Sequence, residues 1–413
     1  MIIATKERHL LTNTTIVITD RIIEGGTVVV DNGVITEIAP RSYPAGAGAF
    51  DLGGRLLLPG LVDLHNDALK KEISPRPSAD FDPTFALLHL DRKLAAAGVT
   101  TEFHAIFFGE RDTSTRSVTF ANALTRAIAD FAIGPQATID HQMLHRFDLR
   151  SPAALDPLLD ALGDAPIPYV SFNDHVPGQG PFNDIDAYRA YTRTLFPAGA
   201  TEDDLDRAIA AQLHNAAATE AGALALADRL AGEARRRGVI LSSHDDDTPE
   251  RVDLVRQLGC TIAEFPITVA AAQRAAEQDM LIAMGAPNAV RGGSLTGNAS
   301  ALDLLARGLV DILIADYHAS SMLAAVFRIV ELGLLELPAA LRLVTETPAR
   351  AVGLADRGTI APGQRADLIV VEHHGHQPIV AATLVRGALC YAGGPFAASL
   401  VALAQPAMSA AAG

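Results

Sequence analysis

The 413-residue sequence predicts a (β/α)8 barrel carrying a small β-sandwich domain assembled from both chain ends. Three observations predict it. From Leu61 onward, apolar runs of strand length alternate with Ala-rich helical stretches. Eight such units over about 250–300 residues match the size of a closed barrel. Segments rich in β-branched residues and separated by turn signals occur before residue 59 and return after residue 356. The chain is also too long for one ordinary core, which suits a large domain at 59–355 beside a smaller one built from 1–58 and 356–404.

In the first sixty residues, Thr15–Ile18, Gly26–Val30 and Val34–Ile38 read as short strands, with Asp31-Asn32-Gly33 as a hairpin turn. Leu56–Leu58 is a further strand, stopped by Pro59-Gly60. The barrel strands are predicted at Leu61–Leu64, Val99–Ile106, Ala137–Leu144, Pro168–Phe172, Val239–Ser243, Thr261–Phe265, Leu281–Met284 and Ile312–Ala315. Near-continuous apolar strands followed by helices, such as the Ala-, Glu- and Arg-rich stretch Asp203–Arg237, imply a parallel sheet buried on both faces. An open doubly wound sheet is the competing architecture, but no G-x-G-x-x-G follows the first strand. Arg357–Ile360, Ala366–Glu372 and Ile379–Arg386 read as the closing strands, HHGH at 373–376 as a polar turn, and the stretch from Gln405 as a mobile tail.

Composition narrows the function. A net charge of −15 argues against broad nucleic-acid binding, which needs a basic face. No apolar run reaches the roughly 18 residues of a membrane span. The start, MIIATKERHLL, lacks a signal-peptide pattern, and two cysteines form no disulfide framework, so the cytoplasm is the default compartment. The expected partner is a small anionic substrate, with self-association into a homo-oligomer left open.

In such a barrel, chemistry gathers at the C-terminal ends of the strands. His65 and Asp67 end the first strand in VDLHND, on the same side by the period of two. Asp148 follows the third, His175 the fourth, His244 the fifth and Asp316 the eighth. Three imidazoles and three carboxylates suit a pair of divalent ions, zinc first, with manganese or iron as alternatives. Two ions would lower the pKa of a bound water to about 7, and Asp316 is the candidate base for its proton. Asp245, Asp246 and Asp247 read either as a carboxylate orienting His244 or as caps of the helix near Pro249. His104, His141 and His145 either line the site or pack, whereas His89 and His214 fall on helix surfaces.

A second cluster concerns substrate. Lys70, Lys71 and Arg76 follow the first strand, while GAPNAVRGGSLTGN after the seventh offers Asn288, Arg291, Gly292, Gly293 and Ser294. The glycines would bring backbone N–H groups to a phosphate and Arg291 a guanidinium fork. His318, two residues after Asp316, is a further candidate contact.

These segments carry a resemblance. LLLPGLVDLHND and RGTIAPGQRADLIVV resemble the opening and closing signatures of the amidohydrolase superfamily. PGLVDLHNDALKKEISPRP, SFNDHVPGQ, SSHDDDTPE, AEFPIT, MGAPNAVRGGSLTGN and ADYHASSMLAAVFR are similar to diphosphatases of phosphonate breakdown, over nearly the whole chain. Asn66 and Asp148 stand where that group carries Thr and Glu, and Asp148 is one methylene shorter than the bridging carboxylate that the resemblance implies there. The superfamily draws its two later histidines from strands five and six, whereas the spacing here puts them on four and five. The resemblance implies hydrolysis of a ribosyl 5-triphosphate to the 5-phosphate and pyrophosphate, with Lys70, Lys71, Arg76 and Arg291 neutralising the phosphates. Two alternatives stand beside it: a hydrolase of a C–N bond, and an inactive scaffold, which would be expected to have lost its ligands.

Overall fold

The structure is a computed structural model that describes residues 8–44, 48–76, 79–110, 117–174, 201–294, 298–374 and 377–397, together with 186, 188, 189, 192 and 193. The fold is a (β/α)8 barrel with a separate sheet made from the chain ends. His175, Leu295–Gly297 and the tail from Gln405 lie outside the described residues.

The end sheet contains β1 (His9–Val17), β2 (Ile22–Asp31), β3 (Val34–Ala39), β4 (Ala49–Asp51) and β5 (Leu56–Pro59). The barrel strands follow as β6 (Leu61–Asn66), β7 (Val99–Phe108), β8 (Asp140–Asp148), β9 (Tyr169–Asn173), β10 (Ile240–His244), β11 (Ile262–Glu264), β12 (Leu281–Gly285) and β13 (Ile312–Ile314). The chain then returns to the end sheet with β14 (Leu368–His374), β15 (Gln377–Val385) and β16 (Ala388–Ala392). The end sheet runs β16-β15-β14-β5-β1-β2-β3, with β4 beside β1, so residues separated by more than 300 positions share one ladder. Its buried face packs Leu11, Ile16, Val28, Val30, Leu57, Leu368, Val370 and Leu384 into a single core. The barrel sheet runs β6 to β13 in sequence order, as in a (β/α)8 barrel and unlike a doubly wound sheet.

By contacts the chain divides into two compact units, residues 1–102, 131–141 and 315–413 in the first and 103–130 and 142–314 in the second. In the first, the end of β6 is stitched to the residues that follow β13. The Asp316 N–H donates to the His65 carbonyl at 2.9 Å, the Asp67 N–H donates to the Asp316 carbonyl at 2.5 Å, and Asn66 and Asp316 form a parallel bridge. In the second, β8 through β13 pair in parallel, with Ile240 opposite Tyr169 and Ala283 opposite Ile312. Its longest helix, Glu202–Arg237, starts at a Thr201–Asp204 capping box and ends at Gly238 in the left-handed region.

Three expectations change. The strand predicted at Ala137–Leu144 starts three residues later, because the buried Asp91 carboxylate accepts the Thr138 and Ile139 N–H groups and holds the lead-in as a loop. Of Thr15–Ile18, the first three residues are only the end of the nine-residue strand His9–Val17, and Ile18 lies beyond it. Arg357–Ile360 is not a strand. Gly358 sits at φ +86°, and a Cβ there would lie 2.8 Å from the Thr345 carbonyl oxygen, so the segment turns where a strand cannot.

The arginines of the closing signature explain that turn. Arg357 bonds Asp140, Thr101 and Asp356, while Arg365 reaches Asp140 at 3.0 Å and Asp367 at 2.9 Å. Burial alone would raise the Asp140 carboxyl, but the two guanidinium groups outweigh it and bring it down to about 2. The signature is therefore structural. Asp140 contributes stability above its unfolded pKa near 4, and that contribution is lost as pH falls through 2. Arg357→Met removes one of the two arginines that hold Asp140 and is expected to cost about 3 kcal/mol in urea unfolding at pH 7; a loss below about 1 kcal/mol would contradict this account.

Candidate active site

In the first unit, β6 presents its alternate side chains Asp63 and His65, with Asp67 just beyond the strand. His65 is buried, with its Nε2 3.8 Å from Asp67 Oδ2. Asp316 has φ +57°, a left-handed conformation rare for a side-chain-bearing residue, and its peptide is bonded on both sides to the end of β6. Behind His65, the Asp63 carboxylate accepts the Ala315 N–H at 2.9 Å and the His65 N–H at 3.2 Å. Burial pushes the Asp63 carboxyl up to about 7, and burial together with the Asp63 charge raises Glu102 as well. Lys70 and Lys71 lie on helix Ala68–Ile73, and the Lys71 ammonium stands 4.6 Å from the Tyr317 ring centroid. Arg76 and His318 are exposed.

The second unit holds Asp148, His244 and three polar residues that the sequence reading had not assigned. Glu264 ends β11 and is 1 % exposed. Its Oε1 accepts from Tyr169 Oη at 2.8 Å and Ser242 Oγ at 2.6 Å. Its Oε2 accepts from Ser171 Oγ at 3.2 Å and lies 3.1 Å from His244 Nδ1. The imidazole is thus held by Nδ1, which turns Nε2 toward the end of β8. There the Arg146 Nη2 lies 3.2 Å from it, and Arg146 also donates to Asn173 Oδ1 from Nε (3.2 Å) and Nη2 (2.9 Å). Burial holds the His244 imidazole below the usual histidine range; Asp245 and Glu264 pull it up and the Arg146 charge pushes it down. Asp148 is buried, opposite Asn173 in register, and accepts the Arg150 N–H at 3.0 Å.

A cavity of about 470 Å³ opens beside His244, lined by Arg150, Asp174, Asp245, Asp247 and Arg251 among others. Arg150 is committed to Asp174 through two bonds of 2.7 and 3.1 Å. Asp245 (φ +59°), Phe265 (φ +54°) and Asp316 (φ +57°) each follow the end of a barrel strand in left-handed backbone, a conformation uncommon for residues that carry a side chain.

Several sequence expectations resolve here. His244 does end the fifth strand, as counted, but the sixth strand ends in Glu264 instead of a histidine. Glu264 was visible in AEFPIT by the same strand-end rule. The helix near Pro249 is capped by Thr248, whose Oγ1 accepts the Arg251 N–H, and not by the three aspartates. His141 bonds Asp91 at 2.9 Å and stands edge-on to Phe131, so it packs. His145 sits against Thr125 and Phe108, where burial lowers it to about 4. The glycine cradle is the main correction. Helix Ala286–Arg291 ends at Gly292 (φ +81°), and the N–H groups of Gly292 and Gly293 both donate to the Asn288 carbonyl. They close a helix C-terminus, the end of a helix that disfavours anions. The Asn288 side chain accepts the Ala301 N–H at 2.9 Å.

Imidazole and carboxylate donors at His65, Asp67 and Asp316 in one unit, and at Asp148 and His244 in the other, are the oxygen and nitrogen set that zinc-class ions take. Residues 198–388 match the profile of the amidohydrolase family, and a relative spans nearly the whole chain. The chain belongs to the amidohydrolase family and is a metal-dependent hydrolase. That relative is α-D-ribose 1-methylphosphonate 5-triphosphate diphosphatase of Escherichia coli (strain K12), 35% identical over 374 residues, covering 89% of this chain and 97% of that protein. Among solved structures, N-acetylglucosamine-6-phosphate deacetylase from Pasteurella multocida matches with TM-score 0.61 at 14% identity, over 94% of this chain and 100% of that one. The 5-methylcytosine deaminase from Klebsiella pneumoniae matches with TM-score 0.60 at 16% identity, over 93% and 98%. These two likenesses carry the fold alone. Among the described residues, no helix is long and apolar enough to cross a membrane.

Proposed function

We propose that this protein is a diphosphatase that hydrolyses α-D-ribose 1-methylphosphonate 5-triphosphate to the 5-phosphate and pyrophosphate. The observation that carries the reading is the 35% identity, over 97% of its length, to a relative of that name. The cationic residues Lys70, Lys71, Arg76 and Arg291 support it, since an anionic substrate needs them and a neutral amide does not. His65, Asp67, Asp148, His175, His244 and Asp316 are the proposed ligands of two divalent ions, zinc first, with Glu264 orienting His244. The proposed barrel domain is 59–355, the end domain 1–58 with 356–404, and the proposed compartment the cytoplasm.

Bound divalent ions supply Lewis-acid polarisation and make a water acidic near neutral pH. In the proposed step, the water oxygen bonds to the α-phosphorus while the bond from that phosphorus to the α,β-bridging oxygen breaks. The electron pair leaves with the pyrophosphate. Asp316 takes the water's proton, and Lys70 and Lys71 offset the charge gathering on the leaving group. Pyrophosphate leaves readily, so charge stabilisation matters more than a general acid.

The second reading is C–N hydrolysis, favoured by the acidic lining of the cavity beside His244, where Asp174, Asp245 and Asp247 face Arg150 and Arg251. One experiment separates the two. Purified protein is incubated with the ribosyl triphosphate and pyrophosphate is assayed. The expected result is one pyrophosphate per substrate, lost after chelation and restored by Zn²⁺. No turnover with Zn²⁺, Mn²⁺ or Mg²⁺ would overturn the diphosphatase reading.

A further inference from the structure

We propose that Tyr317 is a positioning residue for substrate recognition, its ring holding the Lys71 ammonium beside the end of β6 for the phosphates of an anionic substrate. This rests on the diphosphatase reading and specifies how the site gathers positive charge for a polyphosphate. The geometry that points to it lies within the first unit. Lys71 stands four residues after Asp67, which immediately precedes helix Ala68–Ile73, so the two lie about one turn apart on the same face. Tyr317 follows Asp316, whose N–H and carbonyl are both bonded to the end of β6. Those backbone bonds stitch together the segments that carry the lysine and the ring, and the ammonium meets the ring centroid at 4.6 Å.

The choice of partner carries the inference. The quadrupole of an aromatic ring draws an ammonium to its face, yet the ring brings no net charge. A carboxylate would hold Lys71 as firmly but would cancel the charge that a phosphate needs. The acid next to it, Glu72, is taken by Lys93, whose Nζ donates to its two oxygens at 2.7 and 2.9 Å. Among the described residues, the partner of the Lys71 ammonium is the Tyr317 ring. Lys71 is exposed and Tyr317 half-buried, so the ring is the fixed member of the pair and the lysine stays within reach of a ligand. A loose lysine gives up much rotamer freedom when it clamps a phosphate, and one already resting on a ring gives up less. A neutral C–N substrate gains nothing from this arrangement.

The test uses the full-length, metal-loaded protein with the ribosyl triphosphate, and Lys71→Gln, Tyr317→Leu, Tyr317→Phe and the double variant K71Q/Y317L. K71Q is expected to lower kcat/KM by about tenfold, the scale of one charge-assisted contact to a phosphate. Y317L is expected to lower it by about fivefold, and Y317F, which keeps the ring face, to restore it to within about twofold of the parent. In the K71Q background, adding Y317L is expected to cost less than about 1.5-fold more, because a residue that acts through Lys71 has nothing left to hold. A merely structural role would lower both backgrounds alike. Parental kcat/KM in K71Q or Y317L, the same loss from Y317L in both backgrounds, or a loss in Y317F equal to that in Y317L overturns the proposal. If Y317L fails to fold, Tyr317→Met takes its place in each comparison. A parent that releases no pyrophosphate defeats the diphosphatase reading instead. Calorimetric titration with inorganic tripolyphosphate then decides Tyr317 separately: binding to Y317L about fivefold weaker than to the parent supports its role, and equal affinities overturn it.

Discussion

Asp316→Asn is expected to lower kcat by about 10²–10⁴-fold, the range for losing a positioned general base, with little change in melting temperature. The substitution is unusually clean. Asp316 occupies the left-handed region at φ +57°, which asparagine tolerates nearly as well as aspartate. Its hydrogen bonds to His65 and Asp67 involve only backbone atoms, so they survive the change. What is lost is the carboxylate charge that would accept the water's proton and that also serves as one of the proposed metal ligands, so zinc content is measured beside kcat. Asp316→Ala removes the same charge but strains the backbone, at a cost of about 1–3 kcal/mol, and is expected to lower the melting temperature as well. Steady-state kinetics with a thermal melt of both variants checks this. Retention of more than about a tenth of parental kcat by the Asn variant would remove Asp316 from the base role.

Glu264→Gln is expected to weaken zinc binding by about 10–100-fold, the usual consequence of losing a carboxylate that orients a ligating histidine. The carboxylate accepts from Tyr169, Ser242, Ser171 and His244 while almost wholly buried. A glutamine keeps one acceptor oxygen and turns the other position into a donor, which faces donors. Stability is expected to fall by about 2–6 kcal/mol, from two buried groups losing their acceptor at about 1–3 kcal/mol each. Burial and the Glu264 charge both raise the Tyr169 phenol, so Tyr169 stays protonated and remains a donor at any working pH. Zinc affinity measured against a competing chelator, with urea unfolding of the metal-free protein, separates the two effects. Unchanged zinc affinity in a folded Glu264→Gln protein would show that Glu264 supports only the barrel.

The sequence reached far where the signal is local. Apolar runs with turn residues located all eight barrel strands, the chain-end sheet and the long helix ending at Arg237, because a buried parallel strand needs an unbroken apolar stretch whatever its neighbours are. The same runs located His65, Asp67, Asp148, His244 and Asp316, since a polar residue just past such a stretch has nowhere to go but the barrel rim. Arg146, Asn173 and Glu264 escaped because their roles depend on register between strands. Glu264 matters because it pairs opposite His244, and Asn173 because it pairs opposite Asp148. Neither pairing can be read from one strand alone. The RGGS segment shows the reverse. Its composition suited an anion cradle, yet the fold ends a helix there and commits both glycine amides to Asn288. By itself, then, the sequence determined the barrel, the strand-end residues and the superfamily resemblance. Tertiary structure decided which carboxylate holds His244, where the Arg146 guanidinium points and which backbone donors are already committed, because hydrogen bonds between distant residues form only once the strands are in register.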